Sequence, residues 1–218
     1  MQRLTFAEAG RGKGALSILC IGAHCDDIEI GCGATLMRLA AERSLEVTWV
    51  VLASNAKRAA ETRRSAELFL AGAKRKRVLV QKFRDGFLPA EWKKAKEFFE
   101  TLKALPTPDV IFTHEGADRH QDHRIVSELT WNTFRNHLIL EYEIPKYDGG
   151  LGQPNVFVPV SRAIAEQKTA HLLKCYASQA SKGWFTSDTF MALMRLRGIE
   201  SGATEGFAEA FHGRKICI

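Results

Sequence analysis

The sequence predicts an α/β fold of the Rossmann-like, doubly wound class, with a mainly parallel sheet and helices on both faces. Short apolar segments, typical of strands covered on both faces, recur along the chain. Amphipathic segments separate them, and this alternation favours parallel pairing through right-handed crossovers. Because the 218 residues contain no repeat or linker, we expect one domain over residues 1–218.

The predicted elements follow one another in a regular order. Strands are expected at 15–23, 46–54, 77–83, 109–115, 138–144 and 155–160. Helices are expected at 33–44, 57–72, 91–105 and 161–178. Ligands gather at the carboxyl ends of the strands in such sheets, so functional residues are expected directly after a strand.

Composition indicates a soluble protein rather than a membrane protein. The chain is 45% hydrophobic and 26% charged, and no apolar run reaches the roughly 18 residues of a membrane span. The amino-terminal segment MQRLTFAEAGRGKG lacks the features of a secretion signal, so a cytoplasmic location is expected. The five cysteines form no C-x-x-C pair, which predicts free thiols.

The formal net charge of +6 raises the question of an anionic partner. Many basic residues lie between Lys57 and Lys82, where a solvated helix face, an anionic small molecule and nucleic acid are alternative explanations. Aromatic residues do not interleave with the basic ones, as a base-stacking surface would require. We therefore expect no nucleic-acid partner.

The first cluster of chemically reactive side chains follows the first predicted strand, in the stretch IGAHCDDIEIGCGATL. His24, Asp26 and Asp27 are expected to project from a loop, and the two glycines of GCG to let the chain turn into a helix. A dinucleotide-binding loop is the competing explanation. It is disfavoured because the third glycine of its fingerprint is missing and two carboxylates would repel a pyrophosphate.

A second cluster follows the fourth predicted strand, in THEGADRHQDHR. It contains three histidines and two aspartates: His114, Asp118, His120, Asp122 and His123. Both clusters end parallel strands, so we expect them to meet at one edge of the sheet. Together they can supply three metal ligands and leave a position open, as catalytic zinc requires; isolated surface histidines are the alternative.

These stretches resemble the motifs of a known family. AHCDDIEIGCGATL resembles the A-H-P-D-D-x-E-x-G-C-G-G-T-L signature of the PIG-L/LmbE-like zinc-dependent deacetylases, and HQDH is similar to their H-x-D-H motif. Weaker similarities, which extend the resemblance from about residue 15 to 211, are RSAE (64–67), DG (85–86), YASQ (176–179) and AEAF (208–211). Cys25 replaces a usual proline and Ala34 a usual glycine, and neither change removes a group that the chemistry needs.

The resemblance implies a reaction and a metal site. It implies removal of an N-acetyl group from an N-acetylglucosamine-type sugar or sugar conjugate, with acetate and an amine as products. His24, Asp27 and His123 correspond to the family's metal ligands, for Zn²⁺ or alternatively Fe²⁺. It also implies a small-molecule substrate and a homotrimer or homohexamer.

The resemblance further assigns proton-transfer roles. Asp26 corresponds to the family's general base, and hydrogen bonding to loop amides is its competing role. His120, when protonated, is expected to stabilise the oxyanion or protonate the leaving nitrogen, and Asp122 to orient His120. For His114 and Asp118, surface positions are favoured over contacts with the ligands.

Arg64 and Glu67 correspond to the family's R-x-x-E motif on the second helix. Surface ion pairing at i,i+3 is one explanation, and binding of substrate hydroxyls or a phosphate is the other. This helix starts beyond the end of the second strand, so its first turns should border the metal site. We therefore expect the basic segment from Lys57 to Arg77 to bind an anionic substrate, with Arg64 as the residue that contacts the anion.

Two other functions stay open from the sequence. One is hydrolysis of a different amide, such as a thiol conjugate. The other is a non-catalytic module that binds a metal or a sugar, and the intact Asp26 and His120 argue against it.

Overall fold

The computed structural model describes residues 14–216, which fold into one α/β domain. Its strands are β1 (Leu16–Gly22), β2 (Leu45–Ala53), β3 (Arg75–Phe83), β4 (Val110–His114), β5 (Leu138–Tyr142), β6 (Val156–Val160) and β7 (Phe207–Gly213). Its helices are α1 (Asp27–Glu42), α2 (Ala56–Phe69), α3 (Trp92–Leu102), α4 (Gln121–Thr133), α5 (Arg162–Cys175) and α6 (Ser187–Glu200).

The strands form one sheet in the order β3-β2-β1-β4-β5-β7-β6. Strands β1 to β5 pair in parallel, whereas β7 runs antiparallel to both β5 and β6. The predicted doubly wound, mainly parallel sheet is therefore confirmed. The strand order changes direction between β1 and β4, so the loops that follow these two strands lead to opposite faces of the sheet. Ligands of such sheets bind in the crevice between these loops.

Helices cover both faces of the sheet, as predicted. Along β1, Ile18 and Cys20 belong to one hydrophobic core cluster, while Leu19 and Ile21 belong to another. The first cluster includes residues of α1, α2 and α5, and the second includes residues of α3 and α4. Because successive side chains of a strand point to opposite faces, an unbroken apolar strand supplies both cores.

Helix α1 begins earlier than predicted and changes the role of its glycines. It starts at Asp27, so Gly31 and Gly33 lie inside the helix rather than at a turn before it. A Cβ atom on Gly31 would lie 2.3 Å from Cδ2 of Tyr142, and one on Gly33 would lie 2.5 Å from Cε1 of Phe69. These glycines therefore allow aromatic rings to pack closely against α1.

Helices α4 and α6 and strand β7 were not among the predicted elements. Strand β7 carries Glu209, whose buried carboxylate accepts a hydrogen bond from Lys168 Nζ at 2.6 Å. The same carboxylate accepts the backbone N–H groups of Ala34 and Thr35 at 2.9 and 2.7 Å. This strand was missed because a charged residue interrupts its apolar run, and the residues that pair with that charge are distant in sequence. The predicted helix at 161–178 ends at Cys175 and is followed by a short 3-10 turn.

Four cysteines, Cys20, Cys25, Cys32 and Cys175, are free and buried, which confirms the prediction for the described part of the chain. Cys217 and the segment 1–13, on which the expectation about secretion depends, lie outside the described residues. Within residues 14–216, no helix combines the length and the apolar character needed to cross a membrane.

Candidate active site

The two predicted His/Asp clusters meet at the carboxyl ends of β1 and β4. His24 lies in the loop between β1 and α1, and Asp27 is the first residue of α1. His114 ends β4, and His123 lies in the first turn of α4. A cavity of about 590 Å³ opens at this edge, and residues of both clusters line it. The expectation that the clusters share one edge of the sheet is confirmed.

The three predicted metal ligands converge on one point. His24 Nδ1 lies 3.1 Å from His123 Nε2. The Asp27 carboxylate lies 3.4 Å from His24 Nδ1 through Oδ2, and 3.6 Å from His123 Nε2 through Oδ1. His120 lies close enough to form a further possible ligand set with His24 and His123. The described residues therefore contain a His/Asp group that could hold a metal ion.

The outward nitrogens of both histidines contact carboxylates. His123 Nδ1 lies 2.9 Å from Asp118 Oδ2, and His24 Nε2 lies 3.1 Å from both Asp122 Oδ2 and Asp85 Oδ1. A carboxylate on one ring nitrogen holds the proton there and leaves the lone pair of the other for a metal. The two inward nitrogens lie 3.1 Å apart, close enough for one cation to contact both. This arrangement fits a metal site.

Burial and neighbouring charges set the ionisation of these groups. Burial disfavours the charged form of His24, but Asp27 and the hydrogen bond with Asp122 outweigh it and raise the pKa of His24. Burial would raise the pKa of Asp27, but the nearby histidines, above all His123, hold that pKa well below its usual range. Burial and the neighbouring His114 lower the pKa of His123 to about 3. Asp27 is thus ionised and His123 neutral, as metal ligation requires, whereas His24 would release a proton when a metal binds.

The favoured surface positions of His114 and Asp118 are wrong, because both side chains are buried. The ring of His114 stacks on that of His123 with centroids 3.8 Å apart, and its Nε2 lies 3.0 Å from Asp27 Oδ2. Asp118 contacts His123 and accepts two hydrogen bonds from Lys146 Nζ, at 2.9 and 2.8 Å. Both residues therefore orient the predicted ligands.

Asp26 lies beside the converging ligands and lines the cavity. It is the N-cap residue of α1, yet its side chain makes no capping hydrogen bond. Its Oδ1 instead accepts a hydrogen bond from Arg58 Nη2 at 2.8 Å. Burial raises the pKa of Asp26, although Arg58 opposes this shift. A raised pKa suits a group that accepts and returns a proton, and the absence of a capping bond disfavours the loop-amide role.

Asp122 does not orient His120 as expected. Its carboxylate accepts the backbone N–H groups of Gly86 at 2.7 Å and Leu88 at 3.1 Å, and contacts His24. His120 has extended backbone angles and caps α4, so the chain is not helical at this residue. Asp122 is therefore a positioning residue for His24.

His120 lines the cavity, and its tautomer follows from its capping role. His120 Nδ1 accepts the backbone N–H of Asp122 at 3.2 Å, so the proton of a neutral ring lies on Nε2. Burial and the neighbouring His24 lower the pKa of His120. The structure thus favours a neutral donor at Nε2 over the protonated ring that the sequence analysis considers.

Arg64 and Glu67 lie outside the residues that line the cavity. Arg64 Nη2 donates to the carbonyl oxygen of Cys175 at 2.6 Å, and the exposed Glu67 pairs with Lys76 on β3. This geometry does not agree with the expectation that Arg64 contacts an anionic substrate. The competing explanation, an ion pair between Arg64 and Glu67 at i,i+3, is not seen either, because Arg64 binds a backbone carbonyl and Glu67 pairs with a residue of β3.

Arg58 occupies the place that was expected for Arg64. Besides contacting Asp26, it donates from Nη1 to Ser178 Oγ at 3.1 Å, and Glu61 accepts the Ser178 backbone N–H at 3.1 Å. Arg58 and Glu61 form a second R-x-x-E spacing, RAAE, six residues before RSAE. Its position in the first turns of α2, closer to the sheet edge, was the signal that could have identified it.

The segment YASQ (176–179) closes the back of the site. The Tyr176 hydroxyl donates to the carboxylate of Glu29, and both side chains are completely buried. Burial raises the pKa of Glu29 to about 8, although the bond from Tyr176 opposes this. Gln179 lines the cavity. The hydrogen bond between Glu29 and Tyr176 therefore anchors the segment against α1.

Comparison with known proteins is consistent with this geometry. Residues 19–134 match the family model of PIG-L, described as GlcNAc-PI de-N-acetylase. The uncharacterized deacetylase YaiS of Escherichia coli (strain K12) is 31% identical over 181 residues, covering 77% of this chain and 93% of YaiS.

Solved structures share the fold at lower identity. The N,N'-diacetylchitobiose deacetylase from Pyrococcus horikoshii superposes with a TM-score of 0.69 at 21% identity, covering 93% of this chain and 85% of that chain. GalB, the 4-carboxy-2-hydroxymuconate hydratase from Pseudomonas putida KT2440, has a TM-score of 0.72 at 14% identity, covering 93% and 98%. Because a hydratase shares the fold, these two structures speak to architecture and not to the reaction. The family model and the similarity to YaiS, in contrast, show that the chain belongs to the PIG-L/LmbE-like deacetylase family.

Proposed function

We propose that the protein is a metal-dependent hydrolase that removes the N-acetyl group from an N-acetylglucosamine-type sugar or sugar conjugate. The observation that carries the proposal is the convergence of two imidazole nitrogens and the Asp27 carboxylate beside a second buried carboxylate, Asp26. Membership of a deacetylase family supports amide hydrolysis as the reaction class.

His24, Asp27 and His123 would hold the metal. Two imidazole nitrogens and one carboxylate oxygen suit Zn²⁺, with Fe²⁺ as the alternative. When bound, the metal supplies Lewis-acid activation of a water molecule and of the amide carbonyl. Asp118 and Asp122 keep the two imidazole rings in the tautomers that ligation needs.

The remaining side chains move protons and bind charge. Asp26 engages Arg58 through Oδ1, which leaves Oδ2 to take a proton from water and return it to the departing amine. The water oxygen bonds to the carbonyl carbon, the amide C–N bond breaks, and acetate and a free amine result. His120 donates a hydrogen bond from Nε2 to the oxygen that gains negative charge.

The experiment is an acetate-release assay over a panel of N-acetylated sugars: free, nucleotide-linked and glycoside-linked. We expect release from at least one class, loss of activity after chelation, and recovery on adding Zn²⁺ or Fe²⁺. No release from any sugar, together with hydrolysis of an acylated thiol conjugate, would favour the alternative amide. Metal or sugar binding without any turnover would favour a non-catalytic module.

Arg58, rather than Arg64, is predicted to support this reaction. Arg58→Gln removes a charged hydrogen bond to Asp26, so we expect kcat/KM to fall about 10- to 100-fold, the usual effect of a charge-assisted bond. Arg64→Gln, a matched control on the same helix, should change kcat/KM little. If only Arg64→Gln lost activity, Arg64 rather than Arg58 would be the residue that supports the reaction.

The cytoplasmic location and the homotrimer or homohexamer that the resemblance implies stay predictions. Size-exclusion chromatography with light scattering on the purified protein tests the oligomeric state.

A further inference from the structure

Three cationic side chains stand at the cavity: Lys82 and Arg84, at the end of β3 and just beyond it, and Lys182, in the segment before α6. We call this group the cationic rim. The cavity wall also contains Trp184, and the Lys182 ammonium lies 5.6 Å from the centre of the Trp184 ring. The rim therefore borders the same space as the predicted catalytic groups.

The rim differs from the other cations of the cavity because its side chains form no close ion pair. Arg58 is paired with Asp26, and Lys146 with Asp118, each at 2.8 Å. In contrast, none of the three rim residues forms an ion pair with a carboxylate among residues 14–216. The Arg84 guanidinium instead packs 3.7 Å from the centre of the Phe87 ring.

The carboxylates of the cavity are already engaged elsewhere. Asp26 contacts Arg58, Asp27 contacts the converging histidines, and Asp85 lies 3.1 Å from His24 Nε2. The charge of Lys182 acts on Asp26 and Asp85 only without direct contact, and none of these carboxylates forms an ion pair with the rim. Lysine and arginine side chains in a cleft create a positive electrostatic potential, which attracts anions into the cleft.

We propose that the cationic rim binds an anionic substituent of the substrate, a phosphate or a carboxylate, while the acetamide lies at His24 and His123. The inference rests on the proposed function and narrows its substrate class to anionic acetylated amino sugars. Ammonium and guanidinium groups from two separate segments can contact several oxygens of one phosphate or carboxylate. The anion site thus lies on the β3 side of the cavity, whereas the sequence predicts it at the basic segment from Lys57 to Arg77, with Arg64 as the contact.

The kinetic test compares charged and uncharged substrates of the metal-loaded enzyme. The substrates are N-acetylglucosamine 6-phosphate, N-acetylglucosamine 1-phosphate, N-acetylmuramic acid and the uncharged methyl N-acetylglucosaminide. We expect a lower KM for at least one charged substrate, and the phosphate and carboxylate arms identify which anion is bound. Lys82→Gln, Arg84→Gln and Lys182→Gln should each raise KM for the charged substrate about two- to fivefold more than for the uncharged one.

Lys93→Gln is the matched control, because Lys93 is exposed, lies near Glu97 on α3 and is absent from the cavity wall. It should leave the preference for the charged substrate intact. Increasing the ionic strength from about 0.05 to about 0.5 M should weaken that preference, since added salt shortens the screening length. Equal KM values for charged and uncharged substrates, or an effect of Lys93→Gln equal to that of the rim variants, would overturn the proposal.

Direct binding separates this inference from the proposed function. Calorimetry with glucosamine 6-phosphate, glucosamine 1-phosphate and muramic acid, against glucosamine, which has the same amine but no anionic group, needs no turnover. Tighter binding of a ligand with an anionic group, lost when all three rim residues are replaced by glutamine, would support the rim even if no sugar were deacetylated. Deacetylation without any preference for charge in either measurement would overturn the rim and leave the proposed function intact.

Discussion

Replacing His24, Asp27 or His123 with alanine is expected to remove most of the bound metal. The two imidazole nitrogens lie 3.1 Å apart, and an Asp27 oxygen lies 3.4 or 3.6 Å from each, so each variant removes one of three predicted ligands from one point. The loss of affinity should exceed the about 10- to 100-fold typical of losing a group that only orients a ligand. Metal content after dialysis, measured by mass spectrometry, gives the result.

Two variants calibrate this measurement. Asp118→Asn alters the carboxylate that holds His123, so it should weaken metal binding by an intermediate amount. His120→Ala should keep the metal, since His120 is predicted to act as a hydrogen-bond donor. Full metal content in all three alanine variants would contradict the assignment of the ligands. If His120→Ala lost the metal and His123→Ala kept it, His120 would be the ligand in place of His123.

Asp26→Asn is expected to lower kcat by about 10²–10⁴ while metal content and fold stay normal. Asparagine has nearly the same shape but cannot take up the proton that the reaction must move. Because Asp26 Oδ1 accepts from Arg58, the amide oxygen can keep this contact and limit structural change. Steady-state acetate release, with metal analysis and circular dichroism of the same preparation, gives the comparison.

Asp85→Asn provides a matched control for Asp26→Asn. Asp85 also lines the cavity and contacts His24, but its side chain is 78% exposed and is assigned no proton transfer. It should therefore reduce kcat much less than Asp26→Asn. Near-normal turnover of Asp26→Asn would place the general base elsewhere in the cavity.

The sequence by itself determined the parallel part of the sheet and the meeting of the two clusters. Apolar strands separated by amphipathic helices require parallel pairing, and parallel strands direct their following loops to one edge. His24 and Asp27 after β1, and His123 after β4, therefore had to lie at the same end of the sheet. The spacing of the residues along the chain was sufficient for this inference.

The tertiary structure alone decided which neighbouring side chains complete the site. Two R-x-x-E spacings occur on α2, and only the packing of that helix turns Arg58 towards Asp26 and Arg64 towards Cys175. Packing likewise buries Asp118 against His123, although an aspartate in a polar loop looks exposed in sequence. Helix rotation and contacts between distant segments depend on how elements fit together, and that fit leaves no periodic signal in the local sequence.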